Sequence, residues 1–195
     1  NKIKEISKNK DLEIVSVSLP MTKYAIPVYY IIVSSEDSSN LARIDAIRYG
    51  ERKEGSDLYN VYAQSRAEGM NEEVKRRIMI GTCALSADYY DISFRKAQKV
   101  RTLIIQDFEK VFQEVDLLIT PTTPTPAFKL GEKKDDILSM YLADIFVSPA
   151  AVAGLPAISI PVGLTKKKLP VGMQIIGSRL EDEKLLSFSN LIINY

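Results

Sequence analysis

The sequence predicts an α/β protein with a mixed sheet, and three observations predict it. Tyr90 to Val115 repeats apolar residues at steps of three and four, the period of a helix packed on one side. Several short β-branched runs, bounded by proline or by polar turns, have the composition of strands. Helical and strand patterns also alternate along the chain instead of segregating.

Taken in order, Glu13 to Leu19 (EIVSVSL) alternates well enough to predict a strand, which Pro20 ends. A helix is expected from Thr22, carrying Tyr29 and Tyr30 and fading in the polar run Ser34 to Asn40. Ser56 is placed to cap a helix over Asp57 to Glu68, and Asn71 to cap another whose first turn holds Glu72 and Glu73. In the long helix, Ala97, Val100, Ile104, Phe108, Val111 and Val115 form the core-facing stripe. A strand over Asp116 to Ile119 must then stop, because the prolines of Thr120 to Pro126 permit neither helix nor ladder. Ser148 and Pro149 predict a helix start and Gly154 its end. Ala157 to Val162 and Val171 to Ile176 read as two more strands. The loop between them carries Lys166, Lys167 and Lys168, a solvated tip that lacks the glycines of a phosphate cradle.

Neither repeat nor linker divides residues 1–195, which read as one unit. The chain opens on Asn1 without a methionine, which suggests an excised or processed piece. With 26 basic and 25 acidic side chains, the chain carries no broad electrostatic footprint for nucleic acid. The charged opening Asn1 to Lys10 is no signal peptide, and no apolar run is long enough to span a bilayer. One cysteine, Cys83, excludes an internal disulfide and fits a reducing, cytoplasmic setting. The absence of histidine excludes Ser/His and Cys/His nucleophile pairs, and with one cysteine it makes a zinc site improbable, so no metal is expected.

Two charged residues fall at unusual places on a helical wheel. On the helix from Asn71, Val74, Ile78, Gly81 and Leu85 define one face; Arg76 points away from it, whereas Arg77 lies at its edge and can reach inward. A guanidinium so placed can hold a substrate carboxylate bidentately or make an ordinary salt bridge to a neighbouring Asp or Glu. Asp144, the only charge in Met140 to Val147, falls on the stripe of Ile137 and Met140, so it is expected to be partly buried with a partner. That partner could be a ligand or backbone N–H groups. Tyr29 and Tyr30 at helical spacing are compatible with core packing.

Five segments together resemble one family: Ser18 to Gly50 (SLPMTKYAIPVYYIIVSSEDSSNLARIDAIRYG), Glu73 to Asp91 (EVKRRIMIGTCALSADYYD), Ala97 to Ile104 (AQKVRTLI), Asp116 to Phe128 (DLLITPTTPTPAF) and Ala153 to Gly163 (AGLPAISIPVG). They are similar to the amidase-signature family, and within it to the A subunits of glutamyl/aspartyl-tRNA amidotransferases. The Pro-rich and AGLPAISIPVG segments are shared by many amidases, whereas SSNLAR and EVKRRIMIGT point to the A subunits.

The resemblance implies the C-terminal portion of a single amidase-signature domain, a mixed sheet covered by helices, in an enzyme that hydrolyses glutamine with a Ser/Ser/Lys triad. It also implies a B subunit that receives the ammonia and activates misacylated tRNA with ATP and Mg, and a C subunit bracing the pair. The chain itself is expected to hold no cofactor. Glutamine would be bound by Tyr29, Arg77 and Asp144, the positions matching the family's tyrosine, arginine and aspartate. The Gly/Ser-rich segment with the two catalytic serines, and the catalytic lysine before it, lie upstream in the family and have no counterpart here, so no catalytic residue is assigned and this piece alone is expected to be inactive. Two alternatives remain: an amidase of another amide, or a noncatalytic scaffold of the same fold.

Overall fold

The computed structural model describes residues 7–8, 12–133 and 135–193. Its contacts group into two compact units, Pro27–Lys99 and Asn1–Ile26 with Val100–Tyr195.

In the first unit the backbone is helical. A short tight turn, Pro20–Tyr24, leads into helix α1 (Ala25–Leu41), most of which belongs here. It runs on through the serine-rich stretch where the sequence predicts fading. The reason is local: the hydroxyls of Ser35, Ser38 and Ser39 turn back to the carbonyls of Ile31 and Ser35, so they satisfy themselves on the helix. Helix α2 (Leu58–Gly69) is capped by Asp57, whose carboxylate accepts from Asn60 N at 2.9 Å, so the cap falls one residue after the expected Ser56. Helix α3 (Glu72–Ala84) begins as predicted, with Asn71 Oδ1 accepting from Val74 N at 2.9 Å. A wide π-type turn, Tyr90–Phe94, opens the long helix α4 (Arg95–Val111), which from Val100 onward belongs to the second unit. Ala97, Ile104, Phe108 and Val111 are buried on it as the stripe predicts.

The second unit is built on a three-stranded antiparallel sheet of β1 (Leu117–Pro121), β2 (Ala157–Leu164) and β3 (Pro170–Gly177), in the order β1-β3-β2. The α/β class holds; among the described residues the sheet is antiparallel, not mixed. Helices α5 (Ile137–Leu142) and α6 (Ser148–Ala153) lie between β1 and β2 in the chain, and α6 ends on Gly154 at φ 70°, a left-handed cap that suits glycine. Helix α7 (Asp182–Ile193), for which no start signal was evident, covers one face of the sheet. Its Leu185 and Ile192 join Ile160, Met173 and Ile175 in the main buried cluster. Strand β3 is central and buried from Met173 to Gly177, so even Gln174 is only 3% exposed; its amide donates to Thr120 Oγ1 and to the Phe146 carbonyl. The three lysines of the β2–β3 hairpin are exposed, as expected.

The strand expected over Glu13 to Leu19 is absent: 12–19 is extended but carries no ladder among the described residues. Alternation reports one buried and one open side, but residues 13–16 are all exposed and the segment has no paired neighbour among the described residues. It lines a groove of about 1160 Å³ together with β1, the end of α4 and α7.

Candidate functional site

Arg77 of α3 lies in the helical unit at the closest approach of two helices. A Cβ added at Gly81, one turn further along α3, would fall 1.9 Å from the Ser34 carbonyl oxygen of α1. Only glycine permits that contact, which brings Tyr30 and Asp37, on the same side of α1 as Ser34, beside Arg77. The guanidinium carbon is 5.3 Å from the centroid of the Tyr30 ring. Tyr29 packs edge-on against Tyr30, with ring centroids 5.3 Å apart.

The electrostatics are set within the same turn of α3. Arg77 Nε donates to Glu73 Oε1 at 3.0 Å, and Arg76 Nη1 pairs with the other oxygen of Glu73. Arg77 Nη1 is 4.0 Å from Asp37 Oδ2, an ion pair without a hydrogen bond. Burial pushes the Glu73 carboxyl up, but hydrogen bonds and charge from Arg77 and Arg76 outweigh it and hold the group below its ordinary value. For Arg77, burial pulls downward and is outweighed by Glu73 and the neighbouring Tyr29 hydroxyl, so the guanidinium stays charged. Its side chain is 25% exposed against 38% for Arg76, in keeping with the wheel. The salt bridge that sequence reasoning offered as the ordinary alternative is therefore made. It uses Nε, and the two terminal nitrogens donate to no carboxylate among the described residues.

Asp144 belongs to the sheet-bearing unit. Helix α5 stops at Leu142, so the wheel that put Asp144 on a stripe with Ile137 and Met140 does not extend to it, and those two residues are 43% and 42% exposed. Asp144 sits in the following turn, half-buried, its carbonyl accepting from Val147 N and Ser148 N at 3.1 and 2.9 Å. Among the described residues its carboxylate has neither an ionic nor a hydrogen-bonding partner. Of the two partners the sequence leaves open, backbone N–H groups are not found on the carboxylate among the described residues.

Tyr29 and Arg77 are thus brought together. Glu73 was legible as a helical i, i+4 partner of Arg77 and was noted only for its place in the first turn. Asp37 and Tyr30 reach Arg77 from another helix, and nothing local in the sequence announces that. A cluster of one buried-edge arginine, an adjacent aromatic face and a tyrosine hydroxyl can bind a carboxylate. Among the described residues no His/Cys/Asp/Glu cluster could hold a metal ion.

The chain belongs to the amidase family, whose profile matches residues 1–186. Within that family it is similar to bacterial A subunits of glutamyl-tRNA(Gln) amidotransferase. It is 54% identical to the one from Koribacter versatilis over 181 residues, which is 92% of this chain and 38% of the relative. For the one from Halalkalibacterium halodurans the identity is 58%, over 85% of this chain and 34% of the relative. The crystal structure of the Thermotoga maritima A subunit of glutamyl-tRNA(Gln) amidotransferase superposes with a TM-score of 0.60 at 44% identity, covering 87% of this chain and 32% of that one. The Kluyveromyces lactis allophanate hydrolase shares the fold, with a TM-score of 0.71 at 18% identity over 99% of this chain and 28% of that one. The chain spans about 38% of the length of the curated relatives it matches.

Proposed function

We propose that this chain is the glutamine-recognising portion of the A subunit of a tRNA-dependent amidotransferase. That subunit hydrolyses glutamine and supplies ammonia for converting Glu-tRNA(Gln) or Asp-tRNA(Asn) to Gln-tRNA(Gln) or Asn-tRNA(Asn). Identities above 50% to A subunits across distant bacteria support the reading. The observation that supports it most is the state of Arg77: charged, partly shielded from water and held side-on, with its terminal nitrogens hydrogen-bonded to no carboxylate among the described residues and Asp37 at ion-pair distance from one of them.

A free amino acid presents a carboxylate and an ammonium. A guanidinium fork is the best match to the first and a carboxylate to the second, so Arg77 takes the α-carboxylate and Asp144 the α-ammonium, with the Tyr29 hydroxyl as a further polar contact. None of the serines in these 195 residues stands in a Gly/Ser-rich segment, so amide cleavage falls to groups elsewhere in the fold and this piece alone is inactive. The working enzyme is a cytoplasmic heterotrimer: a B subunit consumes ATP with Mg, carries most of the tRNA contact and receives the ammonia, and a C subunit braces the pair. The described helices include none long and apolar enough to cross a membrane.

The test uses the assembled enzyme with either glutamine or ammonium as nitrogen donor. Arg77→Ala and Asp144→Ala are each expected to raise the glutamine KM by about tenfold or more, the scale of a lost charge-assisted hydrogen bond, while ammonium-driven amidation continues. Unchanged glutamine use by both variants would contradict the assignment.

A further inference from the structure

A guanidinium offers two edges to a carboxylate, one through Nε and one through the paired terminal nitrogens. In Arg77 the first is occupied by Glu73 at 3.0 Å, and Glu73 is itself gripped on its other oxygen by Arg76. Pinned between two cations, that carboxylate has little freedom to swing. Asp37 stands 4.0 Å from Nη1, at ion-pair distance but beyond hydrogen-bonding reach. Tyr30 backs the guanidinium plane at 5.3 Å. Two acidic groups thus flank one arginine, Glu73 hydrogen-bonded at Nε and Asp37 at ion-pair distance from Nη1 with the Tyr29 hydroxyl nearby, and neither carboxylate hydrogen-bonds the terminal fork.

We propose that Glu73 is a positioning residue for glutamine recognition: by holding Arg77 through Nε it keeps the terminal fork presented to the substrate carboxylate and out of the grasp of Asp37. The proposal rests on Arg77 as the receptor for the α-carboxylate. Without Glu73, the nearest anion to Arg77 is Asp37. The guanidinium then closes onto it, and glutamine must displace an internal carboxylate to bind. A partly exposed helical pair adds little to folding, so the effect belongs to binding rather than stability.

The experiment measures glutamine KM and kcat in the assembled amidotransferase for Glu73→Ala and Glu73→Gln, each alone and combined with Asp37→Asn, beside Arg77→Ala. Glu73→Ala is expected to raise KM about tenfold with kcat within about threefold, because the interaction it removes orients a binding group and not the reacting bond. Glu73→Gln keeps an acceptor for Nε in the same shape, and its KM is expected to rise only about threefold, the scale of a weakened hydrogen bond. Asp37→Asn removes the competing charge and is expected to bring KM in both backgrounds back toward the native value. Native KM in both Glu73 variants, with a raised KM in Arg77→Ala, would overturn the positioning role and leave the Arg77 assignment standing. Native KM in Arg77→Ala would overturn that assignment and the positioning role with it. Double variants no better than the single ones would overturn the competition by Asp37.

Discussion

At the scale of residues, Arg77 owes its usefulness to asymmetry in how it is held. An arginine bound end-on by its own chain has no fork left to offer, whereas one bound through Nε still has a bidentate one. The part played by Glu73 also fixes a pH dependence. Its carboxyl is depressed in the folded chain by Arg76 and Arg77, and Arg77 is faced in turn by the Asp37, Tyr29 and Tyr30 side chains of α1. A depressed carboxyl stabilises above its ordinary range and loses that contribution as pH falls through the folded value. Native protein is therefore expected to melt slightly higher than Glu73→Gln near neutral pH, with the gap closing under acid as the native carboxyl becomes neutral; a thermal melt series across pH checks this.

Elements are where local sequence signals worked or failed for identifiable reasons. Caps were legible because they are made by side chains within three residues. Asn71 is the clearest, and Asn71→Ala is expected to cost about 1 kcal/mol, read from chemical denaturation. The boundary of α1 was not legible, since serines that compete with a helix can equally bond back to it, and only the folded backbone decides. The strand over 13–19 failed because alternation reports half-burial, while a ladder needs a partner that sequence does not reveal. Asp144 lies off the predicted stripe because α5 is only six residues long and ends at Leu142, before the residue the stripe would carry. The close approach of α1 and α3 was also hidden, resting on one glycine. Gly81→Ala forces a methyl group against the Ser34 carbonyl and is expected to destabilise by about 1–3 kcal/mol, the cost of overpacking, with a falling melting temperature as the readout. A variant as stable as the native chain would show that the helices can part without loss.

On the scale of the whole molecule, the chain keeps a real core and leaves much apolar surface uncovered. Ile14 and Val15 are 53% and 51% exposed along the groove, and β1 pairs only on its β3 side among the described residues. Open edges and exposed aliphatics drive association, so this 195-residue chain prepared alone is expected to self-associate, and light scattering at increasing concentration should show the mass rising. Class and family were legible from sequence because they rest on patterns spread over many residues. The details of the arginine cluster were not, because they depend on which groups meet across helices. The most direct measurement compares glutamine with its analogue lacking the α-carboxylate, 4-aminobutanamide, as competing ligands for the assembled enzyme and for its Arg77→Ala variant. If Arg77 reads the carboxylate, the native enzyme prefers glutamine by about tenfold or more and the variant loses most of that preference. An Arg77→Ala enzyme that discriminates between the two as strongly as the native one would contradict the account.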